Sequence, residues 1–586
     1  MARELPRRTV VMIGGGMTSA LAARALVAKG VDVLVLERGA DRAHTAADEI
    51  PSQRDELRWA LRHQNAQNIA RETYTLRYAP SETALPARRL EAFIPGEGVG
   101  GAANHWNGQS WRWSEYDPVL RTHLRNRYGT KAIPTDLSVQ DWGVTYAELE
   151  RYHDLWERLF GVGGKAGNLQ GKIQPGGNPF EAPRQNEFPQ PPLEILESGV
   201  IFDGAAKQLG WKPFPLPAAN SSRAYTNPDG MQLAQCQYCG HCERFICEAN
   251  AKASPQVLLY PWLRQHKNFE VRTLAHVTGI DYDKAARRAT AVRYLDLSSG
   301  EEVIQPADVV VLGAFVMTNT KLLLSSGIGA AYHPAVRTGV VGRNFCHQTM
   351  SSVSVFFKDR WINPFFAAGA SQHVVDEWNN DNFDHTGLGF HGGAHIFSGV
   401  TNGRPIATRP LPPGTPRWGS AWKRANADWY AHAFTIVANG SCYPHPDNFL
   451  SLDPTYRDAL GQPLLRMTFD WRDNELKMSR YITQKMADLA HATGATIVGP
   501  AWARKGPYDV RAYQTTHITG GTVMGADPAT SVVSPHLQHW DAENLFVVGA
   551  SVYPQNSGYN PTGPLGALAL RLGDDLVSYV ARPRQL

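Results

Sequence analysis

No apolar run in the 586-residue chain is long enough to span a membrane, because a spanning helix needs about 20 consecutive apolar residues. Membrane contact is therefore expected only through partners. Long runs of a single charge are missing too. Lys plus Arg number 58 against 54 Asp plus Glu, a formal net charge of +4. That balance, with no extended basic stretch, excludes a nucleic-acid partner. Cysteine is scarce, with six in the whole chain, so this is not a disulfide-dense scaffold. The opening MARELPRR carries Arg7-Arg8 but runs straight into an apolar strand. With no separate apolar region or cleavage site, a twin-arginine signal is not expected on this chain. Internal repeats and low-complexity linkers are also absent.

Hydrophobic residues make up 43% of the chain. That is enough for two or more domains, or for one large composite domain with a sizeable core. Gly (53), Pro (39) and Trp (16) are plentiful, so long loops are expected.

Residues 9 to 39 read TVVMIGGGMTSALAARALVAKGVDVLVLERG. Thr9 to Ile13 is a β-branched apolar run and predicts a buried strand. Three glycines follow, then a helix from Ser19 to Lys29 with Leu21, Ala25 and Ala28 at helical spacing, then a second strand from Val31 to Leu36. Gly14 and Gly16 permit a tight turn and close approach of a pyrophosphate to backbone N–H groups. Glu37 closes the second strand about 20 positions after the glycines, where a carboxylate accepts hydrogen bonds from an adenosine ribose. The third glycine of G-x-G-x-x-G is replaced by Ser19. Strand, turn, helix, strand and acid in this order predict dinucleotide binding, without separating FAD from NAD.

Further along, Asp55 to Ala70 has helical character. The stretch GEGVGGAANHWNGQSWRW (96 to 113) offers glycines for close backbone approach, then Asn104, His105, Trp106 and Asn107 as polar and aromatic contacts. It reads as a flavin-contacting loop. Thr145-x-x-Glu148 is a capping box opening a helix to Phe160. Residues 161 to 230 look like long surface excursions. VTGIDYD, TAVRYLD and PADVVVLGA read as strands returning to the nucleotide-binding sheet, followed by a helix from Ala314 to Ser326. Residues 351 to 470 mix aromatic strands with Pro-rich loops such as RPLPPGTPRWG (409 to 419), and another helix begins near Asp473.

Four cysteines fall within twelve residues: Cys236-x-x-Cys239-x-x-Cys242-x-x-x-x-Cys247. Thiolates at two-residue gaps can converge on one centre. The spacing approaches that of iron–sulfur proteins, although the last gap is four and no Pro follows. A structural zinc site or two disulfides are the alternatives. Cys346 and Cys442 read as isolated buried thiols. Near the C-terminus, YQTTHITGGTVMG (513 to 525) places His517 on a tight turn, and LFVVGASVYPQNSGYNPTG (545 to 563) runs from a short strand to Asn560.

The fingerprint, GVGGAANHWNG (98 to 108), VVVLGAFVMTNTKLLLSSGIG (309 to 329), VGRNF (341 to 345) and the two C-terminal motifs together resemble the glucose–methanol–choline (GMC) flavin oxidoreductase family. The cysteine segment with its trailing ANAKASP and PLLRMTFDW (463 to 471) narrow the resemblance to large flavoprotein subunits of bacterial sugar-acid dehydrogenases. It spans essentially the whole chain. It implies an α/β fold: a Rossmann-like FAD-binding domain assembled from residues 1–115, 230–350 and 513–586. A discontinuous substrate domain on an antiparallel sheet would use residues 116–229 and 351–512. It implies noncovalent FAD along Gly14, Gly16, Met17, Thr18, Glu37 and Arg38. The flavin would lie near Gly100, Gly101, Asn104, His105, Trp106 and Asn107, and Val277, Ala314, Gly549, Ala550, Pro561 and Thr562 would complete the site. Gly549 stands where many members carry an acid.

His517 matches the residue that takes the proton from the substrate hydroxyl. Asn560 matches its partner, which holds the substrate oxygen. The carbon-bound hydrogen passes to FAD as hydride. Related subunits carry an iron–sulfur cluster, so 3Fe–4S or 4Fe–4S is expected on Cys236, Cys239, Cys242 and Cys247. A small subunit bearing the export signal and a c-type cytochrome acceptor are the implied partners, which would put the enzyme at the periplasmic face of the inner membrane. A cytoplasmic enzyme is the alternative. The expected substrate is a sugar acid such as gluconate, or a sugar. A glycoside 3-dehydrogenase, a polyol dehydrogenase, an oxygen-using sugar oxidase and a flavin subunit without a substrate site are the competing readings.

Overall fold

Residues 8–36 fold as a strand–helix–strand unit. In the computed structural model, which describes residues 2–41, 66–69, 72–243, 245–399 and 410–586, strand β1 is Arg8–Ile13, helix α1 is Met17–Ala28 and strand β2 is Val33–Leu36. β1 and β2 pair in parallel with Val10 opposite Val33 and Ile13 opposite Leu36. All four residues of β2 are buried, as befits a parallel strand covered on both faces. Helix α1 begins two residues earlier than the apolar spacing predicts. Extended Gly16 serves as its N-cap with no side-chain hydrogen bond, so the first-turn N–H groups are left for a ligand. Helix α2 (Tyr146–Phe160) carries the expected capping box, with the Thr145 N–H donating to Glu148 Oε2 at 2.7 Å.

Four later strands join the same sheet: β3 (Phe269–Arg272), β4 (Ala275–Asp283), β5 (Arg288–Asp296) and β6 (Glu302–Leu312). β3 pairs in parallel with β2, and β6 in parallel with β1. On the other side of β6, Leu545–Val547 pairs in parallel at Val310–Leu312. Three distant segments of the chain thus build one sheet. Its strand ends, carrying Ile13–Gly14, Gly313 and Val548–Gly549, converge on one place. Open parallel sheets bind cofactors at such ends.

The second layer is an antiparallel sheet containing β7 (Thr349–Phe356), β8 (Ala394–Gly399) and β9 (Ala433–Gly440), with β9 between the other two. Side chains alternate along these strands. Val353, Val355, Ile396, Phe434 and Ile436 enter a core with Met478, Ile482, Met486 and Leu489 of helix α3 (Asp473–Ala492). Met350, Ser352, Phe397, Thr435, Val437 and Asn439 face the other way, into a cavity. Each fully buried aliphatic side chain contributes about 1.5–3 kcal/mol, so the alternation fixes which residues are left for the ligand. The last helix, α4 (Thr562–Ala581), packs on α1 and α2.

Several expectations shift. Of the expected helix over Asp55 to Ala70, residues 55–65 and 70 lie outside the described residues, and residues 66–69 are not helical. The region 161 to 230, read as surface excursion, contains a helix, Glu197–Gln208. Gly199 and Gly204 mask it in sequence, yet a Cβ at Gly199 would stand 3.3 Å from the His373 ring. The helix after β6 runs Val316–Ser325 rather than from Ala314.

Candidate active site

One cavity of about 640 Å³ lies between the parallel sheet and the antiparallel sheet. At the first βα turn Gly14 has φ of +98°, and a Cβ there would sit 2.7 Å from the Gly313 oxygen. Only glycine accommodates that backbone and that approach. The loop after Glu97 returns to this turn, where the Gly100 N–H donates to the Gly15 oxygen at 2.7 Å. Gly100 has φ of +94° and a Cβ there would clash with the Asn104 amide at 2.4 Å. Glu37 is buried. Its Oε2 accepts from the Gly15 N–H at 2.7 Å, and its Oε1 from Gly39 at 2.7 Å and Gly98 at 3.2 Å. A carboxylate with lone pairs to spare on the cavity wall suits ribose hydroxyls.

Seventeen of the eighteen expected cofactor residues line this cavity, Val277, Ala314, Gly549, Ala550, Pro561 and Thr562 included. Asn104 does not. Its amide turns away and donates to the Val99 oxygen at 2.7 Å, so it braces the loop instead.

His517 and Asn560 meet on the same wall, with Asn560 Nδ2 3.2 Å from His517 Nε2. On the other edge of the ring, Nδ1 lies 2.6 Å from Gln348 Oε1. The His517 carbonyl accepts from the Gln348 N–H at 3.0 Å and from Asn556 Nδ2 at 2.8 Å. Burial, together with neighbouring His347 and His395, pushes the imidazole down to about 3, so it is neutral at ordinary pH. Asn560 is fixed from behind, its carbonyl accepting from Trp113 Nε1 at 3.0 Å. Its Oδ1 is buried without a partner in the chain, a group free to meet a ligand.

The sequence does not point to a buried ionic knot on the cavity wall. Lys321 Nζ donates to Glu72 Oε1 at 2.9 Å and to Asp458 Oδ2 at 2.8 Å, and Arg38 donates to Glu72 Oε2 at 2.6 Å. Burial alone would raise the Glu72 carboxyl, but the two cations hold it below the usual carboxylate range. Among the described residues, Arg38 and Lys321 are the Lys and Arg side chains that line the cavity, and both are committed to Glu72. Gln109, Gln372, Ser352 and Asn439 add neutral hydrogen-bonding groups to the wall. Of these missed residues, Lys321 lay within a quoted motif; nothing in spacing marks Glu72.

In the cysteine segment one of the three alternatives falls. All four of its cysteines are free thiols, which removes the two-disulfide alternative. Among the described residues no group of three or more His, Cys, Asp or Glu is placed to hold a metal ion. Burial pushes Cys236 up to about 11 and Cys242 up to about 12, and a bound metal would draw such thiols down to thiolates. Cys242 lies on the cavity wall. Lys252 anchors the loop, donating to the Trp106, Cys242 and Phe245 oxygens at 2.7 Å each. The loop therefore stands against the flavin-contacting stretch, but its thiols are not set out as a ligand shell.

Comparison with known proteins agrees with this architecture. The chain is 42% identical over 576 residues to the gluconate 2-dehydrogenase flavoprotein of Pantoea cypripedii, covering 97% of this chain and 93% of that one. The N- and C-terminal GMC oxidoreductase profiles match residues 205–350 and 444–569. The chain belongs to the GMC oxidoreductase family. It is a GMC-type FAD-dependent oxidoreductase acting on CH–OH donors. A shikimate/quinate 5-dehydrogenase profile also matches residues 1–70, which include the dinucleotide-binding unit. The GMC chain is 27% identical to the fructose dehydrogenase large subunit of Gluconobacter japonicus, over 99% of both chains. Among solved structures, a formate oxidase variant from Aspergillus oryzae RIB40 superposes with a TM-score of 0.60 at 15% identity, over 98% of each chain. Pyridoxine 4-oxidase from Mesorbium loti gives 0.57 at 15% identity, over 98% of this chain and 99% of that one. At that identity the two structures speak for the fold alone.

Proposed function

We propose that this chain is the catalytic flavoprotein of a dehydrogenase that oxidises a hydroxyl of a sugar acid or sugar, with gluconate as the leading substrate. The observation that carries the chemistry is the His517–Asn560 pair, 3.2 Å apart on the wall of the cofactor cavity. A neutral imidazole is a competent acceptor for the substrate hydroxyl proton. Negative charge develops on the substrate oxygen as the proton leaves, and the Asn560 amide N–H beside it stabilises that charge. The Gly14–Gly16 turn and Glu37 hold the nucleotide half of FAD. When bound, FAD supplies the two-electron acceptor for the substrate's carbon-bound hydrogen. The neutral amides and hydroxyl of Gln109, Gln372, Asn439 and Ser352 match the hydroxyls of a sugar chain. The likeness to a gluconate 2-dehydrogenase flavoprotein and a fructose dehydrogenase large subunit supports the substrate class.

The same reading assigns partners: a small subunit and a c-type cytochrome acceptor, with the complex at the periplasmic face of the inner membrane. Among the described residues no helix is long and apolar enough to cross a membrane, consistent with attachment through partners. The four-cysteine loop on the cavity wall is the proposed seat of an iron–sulfur cluster. The free thiols and the loop's position beside the cavity support it.

An anaerobic screen of aldonates, sugars and polyols for flavin bleaching tests the substrate. Gluconate should bleach the flavin, and bleaching by polyols alone would refute the substrate assignment. His517→Ala should keep FAD and lose bleaching. Iron and acid-labile sulfide in the purified protein, lost in Cys239→Ser, are expected; zinc in their place would remove the cluster.

A further inference from the structure

Gln348 is fully buried between the two candidate catalytic segments. Its Nε2 donates at 3.0 Å to both the Ser557 and the Tyr559 oxygens. Two backbone carbonyls can only accept, so the side-chain NH2 must face them. The amide oxygen, which can only accept, therefore faces His517 Nδ1 at 2.6 Å. For a neutral imidazole this leaves a single arrangement. Nδ1 carries the hydrogen and donates it to Gln348, and Nε2 keeps its lone pair. The Asn560 amide at 3.2 Å from Nε2 fits as the neighbouring donor.

We infer that Gln348 is a positioning residue for the reaction: it fixes the His517 tautomer so that the basic lone pair on Nε2 faces the substrate, and it ties the loop carrying Asn560 to the same imidazole. The inference rests on His517 being the base. The backbone adds a second tie, because the Gln348 N–H donates to the His517 carbonyl at 3.0 Å. A single residue thereby fixes the base, its proton and the loop of its partner. When the substrate hydroxyl gives its proton to Nε2, the ring becomes imidazolium, with the Nδ1–H still on Gln348 and the new N–H on the substrate side.

The groups facing His517 cannot do this work. His347 is occupied by the Tyr508 hydroxyl and the Thr515 carbonyl. His395 bonds the Gly558 carbonyl. Burial holds both well below the usual histidine range, to about 4 each. The positive charge of Arg504 lowers His347 further. Tyr559 bonds Asp376. Tyr513 also stands on the cavity wall.

The test is anaerobic single-turnover flavin reduction across pH, in FAD-loaded wild type, Gln348→Glu and Gln348→Met, using whichever sugar or sugar acid bleaches the wild type. In Gln348→Glu a buried carboxylate beside Nδ1 favours the imidazolium, so the acid limb of the rate should move up by about one pH unit or more. Gln348→Met is similar in shape but accepts no Nδ1 hydrogen. Its reduction rate should fall by about a hundredfold or more, the range of a general-base contribution, with little change in half-saturating substrate. FAD content and thermal unfolding are measured alongside, and should an unstable Gln348→Glu fail to hold FAD, Gln348→Met decides. A Gln348→Glu profile that superimposes on the wild type, or wild-type rates in Gln348→Met, would overturn the inference. His517→Ala separates the two levels. If it still bleaches, the base assignment is wrong; if it does not while the Gln348 variants behave as wild type, only the role of Gln348 falls.

Discussion

Replacing Lys321 with Met should damage the protein far more than an ordinary single substitution. The Lys321 ammonium is 6% exposed and is held between Glu72 (8%) and Asp458 (4%). Without it two carboxylates remain buried at a shared site. Arg38 still faces Glu72, but among the described residues Asp458 is left without an ion-pair partner. Breaking a buried pair in this way costs about 3–5 kcal/mol. The sign with pH follows from each group. Burial opposes charging all three, and mutual attraction outweighs it. Glu72 and Asp458 are held below the usual carboxylate range and Lys321 above the usual lysine value. The carboxylates' stabilisation is present above their ordinary values and is lost as pH falls through the lowered ones. That of Lys321 is present below its ordinary value and is lost only as pH rises through the raised one. At neutral pH all three are charged and the full cost should appear. Urea unfolding followed by tryptophan fluorescence reads the stability, and the fluorescence of released flavin reads cofactor loss. Adding Asp458→Asn to Lys321→Met should recover part of the loss. A Lys321→Met protein within about 0.5 kcal/mol of wild type, the range of surface substitutions, would refute the reasoning.

Gly14→Ala should bind FAD poorly, since it combines a disfavoured φ with a Cβ 2.7 Å from the Gly313 oxygen; strain of about 1–3 kcal/mol is expected at such a site, and normal flavin absorbance per protein would contradict it. The depressed imidazole of His517, near 3, keeps its base form as pH falls, so single-turnover bleaching in the wild type should stay level from pH 8 to about 5. An acid limb at the usual histidine value would show that the ring is less buried when it works. Thr145→Ala removes one half of the α2 capping box and should cost about 1 kcal/mol in urea unfolding, with FAD content unchanged.

The cofactor half of the site was legible because backbone geometry dictates sequence there. Only glycine meets the demands at Gly14 and Gly100, and a carboxylate at the end of β2 is what a ribose needs. His517 and Asn560 were legible through the family's motif order, since a lone histidine or asparagine carries little meaning by itself. Gln348 left no signal. Its role comes from two carbonyls more than two hundred residues away, and glutamine fits many places. Glu72, Lys321 and Asp458 were hidden for the same reason: each is an ordinary charged residue until the fold brings them together. Asn104 sits among ligand-facing residues, yet the left-handed turn at Gly100 sends its amide inward. The two-residue cysteine gaps were legible, but the Lys252 anchor of their loop, on the Trp106, Cys242 and Phe245 carbonyls, was not.

The sheet has a consequence for how the enzyme comes into being. β1 and β2 lie close together in the chain, but the strand Leu545–Val547, the Gly549 turn, Asn560 and helix α4 are made more than two hundred residues after β6. Domains take shape as the chain emerges, at about 5–20 residues per second. For most of that time the nascent protein holds half a nucleotide site beside an open sheet edge at β6. Neither His517 nor Asn560 exists until about two hundred residues beyond β6 have been made. A chain that stops before Leu545 therefore lacks the third segment of the sheet, and the cavity wall is completed only when these distant residues fold back onto it.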